Sequence, residues 1–250
     1  MTETTRPSWL PSIGDILFLL VLYLLLGLLP DFIFGDGSTG WHFVAGQYIL
    51  EHGRVPTVDL VSYTFASKEW VAYEWLFDAF IAGLEKIGGL RLVSVACCSA
   101  ISFMFLLLYR DCRRAGCHYG LTLVLCIMGA FVSAIHWLAR PHLVTWFGVY
   151  LFAKLLSDFY HERISAGKLW LFLALTMLIW VNCHPAFLMG FAILFIYWFC
   201  DLFAWAGMAA SEARTKCGTR LKALTISGAI VGAVSLINPY GFKLYQYIFQ

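Results

Sequence analysis

Charged side chains are scarce in this chain of 250 residues. Asp, Glu, Lys and Arg make up 13% of the sequence, whereas a soluble globular domain carries about a quarter. Hydrophobic residues account for 61%, and the mean hydropathy is +0.77. These values exclude an ordinary soluble domain and predict a polytopic membrane protein. Because 17 basic residues nearly cancel 15 acidic ones, a nucleic-acid partner is not expected.

Other familiar signals are missing as well. The eight cysteines are scattered and form no compact ligand motif, so they are expected to be small core residues rather than disulfides or metal ligands. The first apolar run has no small-residue cleavage site after it, which predicts a retained helix rather than a signal peptide. No internal repeat or soluble domain is visible. Residues 1–250 are therefore expected to form a single polytopic membrane module.

What the sequence does have is a series of long apolar runs. A helix needs about 20 apolar residues to cross the hydrocarbon core of a bilayer. The runs predict an all-α membrane protein with about seven transmembrane helices, of which the fifth is the shortest. They span residues 13–29, 91–109, 119–135, 141–156, 169–181, 186–203 and 223–237.

Basic residues fall mostly on one side of these predicted crossings. With a cytoplasmic N-terminus, the inside loops contain Arg6, Arg110, Arg113, Arg114, Arg163, Lys168, Arg214, Lys216, Arg220 and Lys222. The short outside loops hold little more than Arg140 and Lys243. By the positive-inside rule, the N-terminus is expected on the cytoplasmic side, with residues 35–90 as a long extracytoplasmic loop.

Two amphipathic surface helices are predicted in this outer loop. The first covers about 40–52, capped by Ser38 or Thr39, with apolar residues at helical spacing. The second covers about 70–86. Between them, alternating apolar residues at 61–65 predict a short extended piece.

Acidic residues are concentrated in the same loop. Eight of the 15 acids lie in this loop or just before it: Asp31, Asp36, Glu51, Asp59, Glu69, Glu74, Asp78 and Glu85. Such a group can activate a hydroxyl nucleophile, hold a divalent cation or bind sugar hydroxyls. Asp36 follows the first crossing in a glycine-rich turn, where a low dielectric is expected to raise its pKa toward that of a general base. The alternative role is a turn-forming or helix-capping aspartate.

Basic and aromatic side chains near the outer face complete the candidate set. Trp41 suits an interfacial anchor and also a sugar platform, and His42 lies beside it on the polar side of the helix. Arg140, His136, His142 and His184 are predicted to converge as donors for a phosphate or diphosphate at the membrane surface. The alternative is that Arg140 merely snorkels to that surface from the start of a helix. The spacing of these histidines matches no compact metal or haem motif.

Several short motifs resemble one family. They are D-x(4)-W-H from Asp36, ILEHGRVPTVDLVSYT, EWVAYEWL, RPHLVTW, WVNCHPAFLMG and LINPYG. Together they resemble the N-terminal seven-helix module of bacterial membrane proteins related to C-type glycosyltransferases, which use polyprenyl phosphate or diphosphate sugars on the outer face. The resemblance implies that Asp36 is a base or metal-linked carboxylate and that Glu74 or Asp59 is a second functional acid. It also implies a location in a bacterial inner membrane and a lipid phosphate near Arg140 and His142.

The expected function is transfer of a sugar from a polyprenyl-phosphate-linked donor. Asp36 and Glu74 are the expected catalytic acids, and Trp41, His42, Asp59, Arg140, His142 and His184 the expected substrate-binding residues. Asp36 and Glu74 would also hold Mg²⁺ or Mn²⁺ for a diphosphate donor. Two alternatives stay open: a non-catalytic subunit of a larger complex, and a transporter or flippase. Because the resembled enzymes continue beyond a seventh helix, a missing C-terminal region or a partner subunit is expected.

Overall fold

The protein is all-helical. A computed structural model describes residues 11–29, 31–65 and 68–249. Within those ranges no strand forms, and the isolated bridge between Val58 and Glu69 is the sole β pairing. The predicted all-α class is confirmed. Arg6 and the N-terminal stretch used in the signal-peptide argument lie outside the described residues.

Nine α-helices follow one another along the described chain. They are α1 Ile13–Tyr23, α2 Thr39–His52, α3 Trp75–Arg114, α4 Tyr119–Ser133, α5 His142–Tyr160, α6 Ala166–Val181, α7 Leu188–Gly207, α8 Glu212–Ser235 and α9 Lys243–Ile248. A π-helical turn, Leu24–Leu28, continues α1, and 3-10 turns occupy Phe32–Phe34, Ala134–His136 and Pro185–Phe187. Each of the seven predicted crossings coincides with a helix.

Three of the described helices are long and apolar enough to cross a membrane. They are Trp75–Arg114, Tyr119–His136 and Pro185–Gly207. The segments Ile13–Leu28 and Ala166–Val181 are apolar but shorter. The chain is therefore compatible with a membrane protein, and the number of seven crossings stays a prediction, as do the surface positions of the outer-loop helices.

Two predictions for the outer loop differ from the structure. The helix predicted at 70–86 begins at Trp75 and merges with the helix predicted at 91–109, with a kink at Gly88 and Gly89. Gly89 has φ +64°, which glycine adopts without steric cost. The helix is interrupted at these two glycines, at the boundary that the sequence indicated between the two predicted helices.

The extended piece predicted at 61–65 is wrong, because this segment consists of bends. The cause is Asp59, whose Oδ1 accepts hydrogen bonds from the backbone N–H groups of Val61 and Ser62, both at 2.8 Å. Such a turn satisfies the backbone locally and competes with extended structure. Asp59, expected to bind substrate, is placed as a turn residue.

The described chain divides into two compact units, one formed by the residues up to Gly40 with Leu84–Leu143 and one by Trp41–Gly83 with the residues from Val144 onward. In the first, Ser12 and Asp15 form a capping box at the start of α1. Asp15 also accepts a hydrogen bond from Arg110 at 3.0 Å. Gly14 lets α1 approach Tyr109, whose Cδ1 would lie 2.8 Å from a Cβ at position 14.

The second unit is packed around Trp180, which is fully buried. Its indole meets Phe152 edge-on with ring centroids 5.7 Å apart. Two glycines make room for it: a Cβ at Gly148 would lie 2.4 Å from the indole Cδ2, and one at Gly190 would lie 3.2 Å from Cζ3. The large ring thus closes the contact between α5, α6 and α7.

We expect Gly148→Ala to destabilise the protein by about 1–3 kcal/mol, because the added methyl group overlaps a ring that cannot move within a packed core. The measurement is the thermal unfolding midpoint of the purified protein in detergent. Gly232→Ala on α8 is the matched control, since its Cβ meets no atom within 4 Å. An equal effect of the two substitutions would contradict this account of the packing.

Candidate functional site

The second unit contains a buried pair of ionisable side chains. His42 on α2 and Asp78 on α3 are 3% and 2% exposed, and His42 Nδ1 lies 2.7 Å from Asp78 Oδ1. Because a carboxylate can only accept, Nδ1 carries the proton and donates it. The other ring nitrogen, Nε2, is buried and has no hydrogen-bond partner among the described residues. Asp78 thus orients the imidazole and leaves Nε2 as its basic nitrogen.

Gly46 makes this pair possible. A Cβ at this position would lie 2.0 Å from the backbone oxygen of Asp78 and 2.7 Å from Cβ of Ala82. Only a glycine lets α2 lie this close to the first part of α3. Gly46 stands four residues after His42, so it lies on the same face of α2 and brings that face against Asp78.

Glu74 and His184 extend the pair into a cluster of four ionisable groups. Glu74 Oε2 lies 3.8 Å from His42 Nδ1, and Glu74 Oε1 lies 3.8 Å from His184 Nε2. The Glu74 side chain is 14% exposed and that of His184 is 22% exposed. One carboxylate therefore faces two imidazoles, and it stabilises a positive charge on either of them.

The protonation of His184 follows from its neighbours. Its Nδ1 lies 2.9 Å from Thr145 Oγ1 and also accepts from the backbone N–H of Ala186. Thr145 Oγ1 accepts from Trp180 Nε1 at 2.9 Å, so its own proton is directed to His184. With Nδ1 as an acceptor, the neutral ring carries its proton on Nε2, which faces Glu74.

Asn182 holds the N-terminal end of α3 in place. Its Oδ1 accepts from Trp75 Nε1 at 2.8 Å, and its backbone oxygen accepts from the N–H of Leu76. Its Nδ2 donates to the carbonyls of Leu178 and Ile237. Every polar atom of this side chain is used, so Asn182 positions the residues around Glu74 rather than binding a ligand itself.

The cluster opens on a small pocket walled by tryptophans. Trp41 and Trp70 stack with ring centroids 5.9 Å apart and an interplanar angle of 22°. The pocket is lined by Trp41, His42, Trp70, Val71, Ala72, Tyr73, Glu74 and Asp78, and its volume is about 10 Å³. A water molecule needs about this much space. The cavity therefore takes one water molecule as it stands, and a larger ligand would bind at its mouth.

Cys183 lies next to this cluster but offers no nucleophile. Burial raises the pKa of its thiol to about 12, and the negative charges of Asp78 and Glu74 add to the shift. A thiol with this pKa stays protonated at neutral pH.

Asp36 and Arg140 form an ion pair within the first unit. Arg140 Nη1 donates to Asp36 Oδ2 at 2.8 Å, while Asp36 Oδ1 accepts from the backbone N–H and the hydroxyl of Ser38. A backbone hydrogen bond of 2.8 Å from Ala139 to Ile33 joins the two segments. The sequence singled out both charged residues, and the structure brings them together.

The expected rise in the pKa of Asp36 is wrong. The hydrogen bonds from Ser38 lower the pKa of this carboxyl group, and the charge of Arg140 lowers it further. Asp36 is therefore a weak base that stays ionised at neutral pH. Since Ser38 and Arg140 engage both of its oxygens, the residues around Asp36 do not fit a divalent cation.

The remaining predicted residues, His136 and His142, contact each other. His142 Nε2 donates a short hydrogen bond to the backbone oxygen of His136, so that nitrogen is occupied. His136 and His142 also meet edge to face. Among the residues that the structure describes, no group of three or more His, Cys, Asp and Glu side chains is arranged to hold a metal ion.

Two residues at the site, Asp78 and Thr145, were not among the predicted site residues. Asp78 was one of the eight acids of the outer segment, without a predicted role, and Thr145 was not singled out. The i, i+4 spacing of Glu74 and Asp78 was the available signal, because it places both carboxylates on one face. Nothing in the sequence pairs Thr145 with His184, which lies 39 residues further along the chain.

Comparison with known proteins leaves the site to be interpreted from its own geometry. No family model, curated protein or solved structure matches the chain.

We expect Asp36 and Arg140 to be coupled by roughly 0.5 kcal/mol, since both side chains are partly exposed, at 26% and 35%, and solvent screens the pair. A double-mutant cycle with Asp36→Asn and Arg140→Gln, read from thermal unfolding in detergent, measures the coupling. Because the pKa of Asp36 is lowered in the folded state, the stabilisation is complete well above pH 3.8 and is lost as the pH falls below it. A coupling of the same size at pH 7 and pH 3 would contradict the assignment.

Proposed function

We propose that this protein is a membrane glycosyltransferase-like enzyme that transfers a sugar from a polyprenyl-phosphate-linked donor to a hydroxyl acceptor on the extracytoplasmic face. The observation that carries the proposal is the buried His42–Asp78 pair. Among the described residues Nε2 of His42 has no hydrogen-bond partner, and His42 lines a pocket beside two stacked tryptophans. The choice of donor follows the sequence motifs, since the pair itself supports proton removal from a hydroxyl group in general.

In the proposed reaction, His42 is the general base. The acceptor oxygen attacks the anomeric carbon, the bond from that carbon to the phosphate oxygen breaks, and the hydroxyl proton moves to His42 Nε2. The lipid phosphate leaves with the electron pair of the broken bond. Asp78 and Glu74 then face an imidazolium ion, and their negative charges stabilise it.

His184 has the complementary role in this proposal. The contacts of its Nδ1 with Thr145 and Ala186 favour the tautomer with a proton on Nε2. That N–H is suited to donate to a negatively charged oxygen on the leaving phosphate. Glu74, 3.8 Å away, keeps the ring oriented.

Trp41 and Trp70 are the proposed sugar platform. Trp41 is 37% exposed, so part of its ring is open to a ligand. The stacked pair presents an aromatic surface next to His42, whose ring centroid lies 5.6 Å from that of Trp41. Since the cavity itself has room for one water molecule, the sugar would lie over this surface and present its reacting carbon toward the pocket.

The proposal moves the base from Asp36 to His42. Asp36 is tied to Arg140 and has a lowered pKa, whereas Nε2 of His42 is the basic atom of a buried, oriented ring. Within the first unit, Asp36 instead positions Arg140 through the hydrogen bond between them. No divalent cation takes part in these steps.

We expect His42→Gln to lower the rate of sugar transfer by about 10²–10⁴-fold, the usual contribution of a general base. The measurement is transfer from a polyprenyl-phosphate sugar donor by the full-length protein in detergent. His52→Gln is the matched control, because His52 is an exposed histidine on the same helix. Asp36→Asn should change the rate far less than His42→Gln.

Chemical rescue separates loss of the base from loss of the fold. His42→Ala leaves space for added imidazole, which should restore part of the activity of this variant and none to an Asp78→Ala variant. Unchanged turnover in His42→Gln, or a fall as large in His52→Gln, would overturn the assignment of the base.

A transporter that moves protons is the second candidate, favoured by one observation. His42, Asp78, Glu74 and His184 form a continuous series of ionisable groups, with neighbouring groups 2.7 to 3.8 Å apart. Such series are typical of proton pathways. Proton uptake by proteoliposomes that is lost in His42→Gln, without any sugar transfer, would favour this candidate.

A further inference from the structure

A second cavity in the unit of 41–83 and 144–250 lies between the turn after α5 and the first turns of α8. Its volume of about 470 Å³ is within the range of about 300–1,000 Å³ typical of small-ligand sites. The polar part of its lining consists of Glu162, Arg163, Ser165, Lys216, Thr219 and Arg220. Three cations and two hydroxyl groups therefore meet in one cavity with a single carboxylate.

Arg220 is the rigid cation of this pocket. Asp201, which is 3% exposed, accepts hydrogen bonds from its Nε at 3.1 Å and its Nη2 at 2.8 Å. The guanidinium carbon also lies 4.4 Å from the centre of the Tyr160 ring. The bidentate pair and the ring hold the guanidinium plane in place, so its positive charge is fixed at the pocket wall.

The other two cations are held loosely. The side chains of Arg163 and Lys216 are 62% and 59% exposed, and each has a carboxylate partner, Asp158 for Arg163 and Glu162 for Lys216. Ion pairs this exposed contribute little to stability and exchange partners easily. A dianion or a phosphodiester can therefore bind Arg163 or Lys216 without disrupting the fold.

Glu162 occupies an unusual backbone conformation. Its φ is +60°, and among the described residues no other non-glycine residue has a positive φ. Glycine adopts this conformation without steric cost, so a glutamate here is unfavourable for the backbone. The glutamate does, however, place a carboxylate on Lys216 at the pocket. Its negative charge stands where an anionic ligand would meet that lysine.

The pocket also has an apolar edge. Phe159 and Ile164 contribute to its lining, and Ser165 caps the start of α6, an apolar helix over Ala166–Val181. A soluble anion would gain nothing from apolar neighbours, whereas a lipid carries its phosphate next to glycerol and acyl carbons. Basic pockets at the ends of apolar helices bind anionic headgroups in this way.

We propose that this pocket binds the phosphate of an anionic phospholipid headgroup, and that Glu162 forms an ion pair with Lys216 until the headgroup displaces the glutamate. Arg220 supplies the fixed charge, Arg163 and Lys216 close on the phosphate, and the hydroxyl groups of Ser165 and Thr219 lie within the same lining. The site is separate from the proposed transfer reaction, so either can fail without the other.

The test is native mass spectrometry of the full-length protein in detergent, titrated with phosphatidylglycerol or phosphatidylcholine. Phosphatidylglycerol should bind more tightly, and Lys216→Gln and Arg163→Gln should each weaken its binding by about fivefold. Lys222→Gln is the matched control, because Lys222 is an exposed lysine on the same helix and does not line the pocket. Its affinity for phosphatidylglycerol should stay unchanged.

Glu162→Gly should change the affinity for phosphatidylglycerol in the opposite direction. It removes the competing carboxylate and suits the backbone, so phosphatidylglycerol should bind several-fold more tightly, a gain that misfolding cannot produce. Equal binding of the two lipids, or equal losses in Lys216→Gln and Lys222→Gln, would overturn the proposal. Displacement of phosphatidylglycerol by an equal concentration of inorganic phosphate would show a site for soluble phosphate and would also contradict it.

Discussion

The hydrogen bond between His42 and Asp78 is the constraint on which the second unit is built. Two ionisable groups lie there almost without exposure to water, and burial of either one alone would be strongly unfavourable. Their pairing requires α2 and α3 to approach more closely than a side chain at position 46 would allow, which is why a glycine stands there. In the part of the chain that the structure describes, the same approach leaves one imidazole nitrogen without a hydrogen-bond partner. The close approach of α2 and α3 therefore determines both how these helices pack and which nitrogen of His42 can act as a base.

The apolar core and the polar cluster are linked through a single indole. Trp180 is packed between Gly148 and Gly190, and its N–H donates to Thr145, which in turn contacts His184. A buried N–H needs such an acceptor, and the acceptor then directs its own proton to the histidine. The orientation of His184 toward Glu74 therefore depends on how tightly Trp180 is packed.

Ionisable side chains have different surroundings at three places in the protein: at His42, at the Asp36–Arg140 pair and at Arg220. At His42, buried groups are paired so that one basic atom stays available. At Asp36, the hydrogen bonds from Ser38 and then the partly exposed pair with Arg140 lower the pKa of the carboxyl group, which makes Asp36 a positioning residue. At Arg220, a buried carboxylate fixes one cation, while exposed cations nearby have exchangeable partners. Burial decides which of these groups can act as a base and which can bind an anion.

The sequence alone determined that the protein is all-helical and where the apolar helices run, because helical periodicity and long apolar runs are local properties. It also drew attention to Asp36, Arg140, Glu74 and His184. It could not show that Asp36 would be paired with a residue 104 positions away, or that His42 would meet Asp78 through the space left by Gly46. Partners far apart in sequence and the exposure of each atom decide hydrogen bonding and pKa, and only the tertiary structure sets them.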